Sequence, residues 1–422
     1  MEIAVPPQVA EIISVLNEHT YKAYLVGECV RGLIKGENPL DFDIVTDAEM
    51  NRLLAIFEDR YKTNTDYVGK GELIIINGAM GISVSPYRCR IAEDGKPIYC
   101  ADVNEDLKRR AFKANAVAYS LDEGVYDPFG GYDQLCGEDI MLSAIVTAPT
   151  EEKKQVKGKK GVTPPPTPFD VFEINPSATL EAIRRYSAEG VEISAETVQN
   201  ICENPQQIFK CGKEEFHNAF KSIILGKRVT DTMMLFKEVV FAVVPKLSET
   251  DGFMQNSPVQ EYPLYEHIAR SVGYAVPDYN VRLALFFHGI GKVDCAADVG
   301  DYTFYNGHAE RGAMLTREIM TDLGFPAELA KQTAFLVLHH DDDINEENYP
   351  SFTAEYGVET VRKLVLMRAA DIRAKNSDYR YEQRSNELRT FADEIGKTGA
   401  ETARRNSITL AGLKKLTENL NI

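Results

Sequence analysis

The hydrophobic pattern of this chain changes its period near residue 150, and that change limits the folds it can adopt. Before it, short apolar runs rich in β-branched residues end at turn-like residues and alternate with helical stretches. Four of these runs predict strands, at residues 23–27, 42–46, 73–78 and 81–87. From about Phe172 onward, nearly every stretch has the spacing of an amphipathic helix. The sequence therefore predicts an α+β fold, in which a small mixed α/β domain precedes an all-α remainder.

A segment rich in lysine and proline separates the two regions. Residues 151–168 contain five lysines, four prolines and almost nothing apolar, which is typical of a linker or a surface insertion. The predicted organisation is a head at 1–147, this linker at 148–170, a helical neck at 171–250 and a second helical domain at 251–422. Five of the seven histidines lie between His267 and His340, so the second domain is rich in histidine.

The composition excludes several classes of protein. No apolar run reaches the roughly 18 residues that a membrane span requires, and the acidic N-terminal segment lacks the pattern of a secretory signal. Seven cysteines without paired spacing argue against a disulfide framework or a zinc ribbon, so we expect a cytoplasmic protein. Because the net charge is −17, any contact with nucleic acid must use local basic patches.

Two carboxylates at the start of a predicted strand are the first candidates for chemistry. Asp41 and Asp43 are one residue apart, so on a strand they face the same way, about 6–7 Å apart along the backbone. Such a pair suits Mg²⁺, and ions held there could activate a hydroxyl and neutralise a leaving pyrophosphate. Gly27 and a short helical segment with Arg31 would supply amides and a cation for phosphates. The same D-x-D pattern also occurs in solvated turns.

Further motifs carry a resemblance to a known family. Residues 27–32 read GECVRG ahead of the D-x-D pair, residues 109–119 read RRAFKANAVAY, and residues 127–131 read DPFGG. In this order and spacing they resemble the class II tRNA nucleotidyltransferases, the family of bacterial CCA-adding enzymes and poly(A) polymerases. The motifs of that family read G-G-x-V-R-D, D-x-D, R-R-D-F-T-x-N-A-M-A-Y and D-P-F-G-G.

The resemblance implies a fold, an activity and a set of site residues. It implies a nucleotidyltransferase head in which Asp41 and Asp43 bind the catalytic Mg²⁺. The residues expected to contact the incoming CTP or ATP are Gly27, Arg31, Arg110, Asn115 and Arg184. The implied reaction is transfer of CMP or AMP to the 3′ end of tRNA or another RNA, with release of pyrophosphate.

The sequence departs from the family pattern around this head. Glu28 replaces the second glycine of the phosphate turn, where a carboxylate would repel phosphates, and Ser83 stands where an acidic residue commonly precedes the strand V-T-T-F-R. In the segment that reads the base, Asn175 and Ala178 replace an aspartate and an arginine, and Glu181 replaces a second arginine. Since alanine offers a base no hydrogen bond, we expect weakened nucleotide selection. Two interpretations remain: an enzyme with relaxed selection, or a paralogue that acts as an RNA- or partner-binding scaffold.

The histidines of the second domain carry a second resemblance, to the HD phosphohydrolase superfamily. The positions that match metal ligands there are His267, His288, His308, Asp371 and His339, or His340 beside it. The central aspartate of that signature is Gly289 in this chain. Three imidazoles and one carboxylate could hold a transition ion, whereas the alternative is that these histidines pack within a helix bundle. We expect a degenerate domain that does not hydrolyse phosphoesters; an HD-type phosphohydrolase with a disused head is the weaker alternative.

Overall fold

The computed structural model describes residues 3–92, 96–136, 141–142 and 175–419. The predicted linker at 148–170 lies outside these residues. The chain divides into two compact units, which we call the first and the second unit. The first comprises Met1–Tyr186 and Val191–Gly212, and the second comprises Ser187–Gly190 and Lys213–Ile422.

A mixed sheet forms the centre of the first unit. The strands of this unit are β1 (Ala23–Val26), β2 (Phe42–Thr46), β3 (Lys62–Asn64), β4 (Leu73–Asn77), β5 (Met80–Pro86), β6 (Arg88–Ile91), β7 (Pro97–Tyr99), β8 (Ala118–Ser120), β9 (Gly124–Tyr126), β10 (Met141–Leu142) and β11 (Glu192–Ile193). Seven of them form one sheet in the order β3-β4-β5-β2-β1-β8-β9. The pair β2 and β5 is parallel, and the other neighbours in this sheet are antiparallel. The four predicted strands are therefore present as β1, β2, β4 and β5.

Both faces of the sheet are covered at β1, which explains why all four residues of this strand are buried. Ala23 and Leu25 of β1 join the larger core, whereas Tyr24 and Val26 between them join a smaller cluster on the other face. The helices of the first unit are α1 (Pro7–Glu18), α2 (Glu28–Ile34), α3 (Met50–Phe57), α4 (Val103–Arg109), α5 (Tyr132–Cys136), α6 (Ser177–Arg184) and α7 (Ala195–Glu203). The apolar side chains of α1 and α3 pack into the larger core.

The second unit is built almost entirely from helices, as the periodicity predicts. They are α8 (Lys213–Ile224), α9 (Val229–Leu235), α10 (Lys237–Val243), α11 (Leu264–Tyr274), α12 (Tyr279–Phe287), α13 (His308–Asp322), α14 (Ala327–Leu338), α15 (Tyr349–Tyr356), α16 (Val358–Lys375) and α17 (Tyr379–Asn419). One hairpin, β12 (Ala297–Val299) and β13 (Tyr302–Phe304), interrupts them. Helix α12 is buried from Val281 to Phe287, and α16 packs against α11, α12 and α17. The predicted α+β architecture is confirmed.

Across the described part of the chain, no helix combines the length and the apolar character needed to cross a membrane.

Candidate active site and a histidine cluster

A glycine turn brings together three of the predicted site residues in the first unit. Strand β1 ends at Val26, and Gly27 turns the chain into α2 with φ at +77°. A Cβ atom at Gly27 would lie 3.3 Å from Arg110 Nη1 and 3.6 Å from Asp43 Oδ2. Glycine tolerates this backbone conformation and also lets both side chains approach the turn closely. Gly27, Asp43 and Arg110 therefore share one cleft at the end of β1.

Asp41 and Asp43 lie at the start of β2, and both are exposed. Asp43 is exposed between buried Phe42 and Ile44 on β2, and Asp41 is exposed immediately before that strand. Although the residue is exposed, the surrounding groups partly displace water from the Asp43 carboxyl and raise its pKa, while the Arg110 guanidinium acts in the opposite direction. The oxygen ligands of this pair are of the kind that Mg²⁺ prefers, so the pair fits such an ion.

Asp106 was not among the predicted site residues, but it holds Arg110 in place beside Asp43. Its carboxylate is completely buried, and Arg110 Nε and Nη2 both lie 3.0 Å from its Oδ2. Arg109 Nη2 lies 3.6 Å from Oδ1. Burial alone would raise the pKa of Asp106, but Arg110 and Arg109 hold it below its ordinary value. The signal was present as an aspartate three and four residues before two arginines in a helical stretch.

Arg31 and Asn115 lie together, and Glu28 takes part in their contacts. Arg31 Nη1 donates to Asn115 Oδ1 at 3.4 Å, and Arg31 Nη2 donates to the Glu28 carboxylate. The Glu28 side chain is 84% exposed, whereas that of Arg31 is 11% exposed. The position of Glu28 suggested that its carboxylate would lie against the phosphates. Its side chain is instead exposed and pairs with Arg31, the cation expected to meet the phosphates.

Helix α6 carries the substituted base-reading positions. Asn175, just before it, donates its Nδ2 to the Arg109 carbonyl at 3.2 Å, and Ala178 is completely buried. Burial raises the pKa of Glu181, while Arg185, Arg184 and Arg31 act in the opposite direction. The half-buried Arg184 thus lies near the acidic group that replaced an arginine. Neither Asn175 Nδ2 nor Ala178 is available to read a base in this arrangement.

A buried cluster joins three predicted ligands in the second unit. His267 Nε2 of α11 lies 2.9 Å from Asp371 Oδ1 of α16, and His288 Nε2 lies 3.5 Å from the same oxygen. Both imidazoles are buried, and burial lowers the pKa of each. Lys375 Nζ, 2.9 Å from Asp371 Oδ2, offsets the cost of burial and keeps the Asp371 pKa well below its ordinary value.

A second group lies beside the first, and it includes one of the two adjacent histidines that follow α14. His308 Nε2 is 3.2 Å from Asp341 Oδ2, and His340 Nε2 is 3.6 Å from Asp341 Oδ1. The rings of His288 and His340 are 5.5 Å apart, so the two groups adjoin. Of the two alternatives for this ligand, His340 joins the group, whereas the His339 ring contacts Phe335 and Tyr356 and its Nδ1 lies 2.9 Å from Asp342 Oδ2. Asp341 escaped the sequence analysis because its role depends on the packing of α13 against α14.

These two groups are suited to a transition ion, and Gly289 limits what such an ion could do. In the described parts of the chain, they are the only groups of three donor atoms within 4.8 Å of one another. A Cβ at Gly289 would lie 3.0 Å from carbons of both Ile268 and Leu264. An aspartate at position 289 would therefore begin its side chain against the apolar side chains of Ile268 and Leu264. A cavity of about 650 Å³ adjoins the second group, and its lining includes His308, Asp341 and Lys375.

Known proteins resemble this chain in sequence and in fold. The family model described as the Poly A polymerase head domain matches residues 23–141. A CCA-adding enzyme of Geobacillus sp. (strain WCH70) is 23% identical over 269 residues, which are 62% of this chain and 60% of that enzyme. One from Anoxybacillus flavithermus (strain DSM 21510 / WK1) is 26% identical over 247 residues, which are 57% of this chain and 56% of that enzyme. The match thus spans about three fifths of the length of these curated relatives.

Two solved structures share the fold across most of the chain. The Bacillus stearothermophilus CCA-adding enzyme in complex with CTP has a TM-score of 0.57 and 19% identity, and the match covers 93% of this chain and 83% of that one. A tRNA nucleotidyltransferase complexed with a primer tRNA and an incoming ATP analog has a TM-score of 0.52 and 15% identity, with 92% and 99% covered. At these identities the likeness shows the fold alone.

Proposed function

We propose that this chain, whose residues 23–141 match the Poly A polymerase head domain and which resembles CCA-adding enzymes in sequence, transfers a nucleoside monophosphate from CTP or ATP to an RNA 3′ end. The observation that carries the proposal is the convergence of Gly27, Asp43 and Arg110 in one cleft. Two relatives of the same fold are described with CTP and with a primer tRNA, which supports these substrates for this chain.

The residues of the cleft divide the work of such a transfer. Mg²⁺ bound by Asp41 and Asp43 would supply charge neutralisation and activation of the RNA hydroxyl. Arg110, fixed by buried Asp106, and Arg31, fixed by Asn115, would hold the triphosphate in place. The chain needs no covalent intermediate, because positioning and charge stabilisation account for catalysis of this kind.

We propose that nucleotide selection is relaxed. Discrimination needs polar groups that pair with one base and are left unpaired by the others. Asn175 Nδ2 already bonds a backbone carbonyl and Ala178 is buried, so neither meets that need. The loss of one charge-assisted pair should cost about 1.5–3 kcal/mol of discrimination, or about 10- to 150-fold.

The test offers a tRNA that lacks its 3′ end together with all four nucleotides, and sequences the products. We expect extended tRNA with mixed additions, and no product from the Asp43→Asn variant. Faithful addition of C-C-A at high efficiency would contradict relaxed selection. Absence of any product from the unaltered chain would instead favour the RNA- or partner-binding scaffold.

The second unit is proposed as an ion-binding domain without phosphohydrolase activity. His267, His288 and Asp371 would hold a transition ion, but Gly289 provides no carboxylate to bridge or anchor a second one. We expect no hydrolysis of 2′,3′-cyclic nucleotides above background when Ni²⁺ or Mn²⁺ is added. Robust metal-stimulated hydrolysis that is lost in His288→Ala would contradict this and support the phosphohydrolase alternative.

A further inference from the structure

Glu72 lies on the same face of the sheet as Asp43. In the parallel pair of β2 and β5, Asp43 is opposite Ser83, and in the antiparallel pair of β4 and β5, Ser83 is opposite Ile74. Side chains directly opposite one another share a face, and residues two apart on a strand share it too. Glu72 directly precedes β4, two residues before Ile74. It therefore faces the same side as Asp41 and Asp43.

The position opposite Asp43 carries no charge in this chain. Ser83, where the resemblance implies an acidic residue, provides only a hydroxyl. Two carboxylates then remain at the start of β2 to hold an ion. The strands paired with β2 are β1 and β5, and neither contains an acidic residue; the next strand, β4, is directly preceded by Glu72. We propose that Glu72 is the third carboxylate of the metal site, displaced from the position of Ser83 by one strand and by two residues along it. This inference rests on the proposed function.

The charge of Glu72 acts on Asp43 across the sheet. Glu72 and Asp43 lie on the same side of the sheet with one strand between them, so their negative charges repel each other. Two carboxylates that repel each other in this way gain from a cation between them. The electrostatic coupling thus follows the placement that the strand register gives.

Arg88 orients Glu72 in the protein without an ion. Arg88 Nη1 lies 2.9 Å from Glu72 Oε1, and the two side chains are 13% and 34% exposed. The Arg88 amide also donates to Asp106 Oδ1 at 3.0 Å, and its Nε is buried without a hydrogen-bond partner. Glu72 is therefore held by the same framework that positions Arg110.

Glu72 acts on the ion through a bound water. Among the described residues, Asp41, Asp43 and Glu72 do not form a group of converged donor atoms. Mg²⁺ usually keeps several waters and binds one or two carboxylates directly. A carboxylate that accepts a hydrogen bond from such a water orients it, and loss of an outer partner of this kind typically weakens metal binding about 10- to 100-fold.

The experiment measures Mn²⁺ binding to the full chain by electron paramagnetic resonance, without nucleotide. The site of the first unit is the part of the binding that Asp43→Asn removes. We expect Glu72→Gln to weaken this site about tenfold or more. The double variant Glu72→Gln with Ser83→Asp should recover most of the affinity, because it returns the carboxylate to the strand beside Asp43. Glu105→Gln, an exposed acidic residue of α4, is the matched control and should change nothing.

The outcomes separate this inference from the proposed function. If Asp43→Asn weakens Mn²⁺ binding but Glu72→Gln changes it by less than about twofold, Glu72 only pairs with Arg88 and the inference fails alone. It also fails if Ser83→Asp recovers none of the affinity lost in Glu72→Gln. If neither Asp41→Asn nor Asp43→Asn affects binding, the metal site of the proposed function is itself wrong.

Discussion

The two units place their ionisable groups in opposite surroundings. In the first unit, Asp41 and Asp43 are exposed and their carboxylates do not converge with a third donor among the described residues. In the second unit, His267 and His288 are buried and already contact Asp371. An open pair depends on an ion or a substrate to gain interactions, whereas a buried cluster has its interactions in the folded chain. Substitutions in the first should therefore affect activity, and substitutions in the second should affect stability.

The largest effect is expected at the open pair. Asp41→Ala or Asp43→Ala removes an anionic ligand from the start of a strand and should lower transferase activity by at least about 10²–10³-fold. Stability should be preserved, because both side chains are exposed and do not belong to a hydrophobic core. Primer-extension rates and thermal melting would be measured side by side, with the exposed Asp59→Ala as control. Full turnover in both variants would place the metal site elsewhere.

The buried cluster should give the opposite result. Asp371→Ala leaves Lys375 and two buried imidazoles without their shared acceptor. Removal of one partner from a buried charged network typically costs about 3–5 kcal/mol of the free energy of unfolding. Urea unfolding in the presence of a chelator measures this, with Asp43→Ala as the comparison. Equal stability of the two variants would break the contrast between the units.

The buried histidines should make the second unit sensitive to acid. Burial lowers the pKa of His340 to about 4, and it also lowers those of His267 and His288. In unfolded chains a histidine has a pKa of about 6.5, so between that value and pH 4 the unfolded state binds more protons. Their contribution to stability is therefore complete above about pH 6.5 and declines as the pH falls towards 4, by up to about 3 kcal/mol for His340.

Unfolding of the chelated protein between pH 7.5 and 4.5 tests this dependence. His340→Gln should flatten the loss of stability at acid pH, because an amide does not titrate in this range. The exposed His19→Gln of the first unit is the matched control and should leave the slope unchanged. The same slope in the His340 variant and in the unaltered chain would show that His340 does not cause the acid sensitivity.

The contrast also explains how much the sequence alone could predict. Strand alternation and the resemblance named Gly27, Asp43 and Arg110 as site residues, and the structure places the three together at the end of β1. The helical spacing of Asp106 ahead of Arg109 and Arg110 was visible in the sequence, but its burial was not. Glu72 could not be assigned without the fold, because its role depends on the register of β4 against β5. In the second unit, the resemblance named the first histidine group, whose members lie within α11, directly after α12 and within α16.

The choice between His339 and His340 shows the limit in the second unit. The two adjacent residues follow α14, and nothing in their spacing says which one turns inward. Packing decides it: the His339 ring lies against Phe335 and Tyr356, which leaves His340 to face His308. Gly289 is a similar case, because its apolar neighbours become visible only when α11 and α12 are placed together.

The smallest effect is expected at Glu28, an exposed acidic residue whose partner is largely buried. Its exposed carboxylate pairs with the largely buried Arg31, which is the cation proposed to meet the triphosphate. An exposed pair of this kind is worth about 1 kcal/mol or less, so Glu28→Gly should tighten nucleotide binding by only about two- to fivefold. Glu28→Gln, which keeps the length of the side chain and removes its charge, should act in the same direction. Isothermal titration with CTP and ATP measures both variants. An unchanged or weaker dissociation constant in both would mean that Arg31 does not bind the triphosphate, or that Glu28 leaves it without cost when the nucleotide enters.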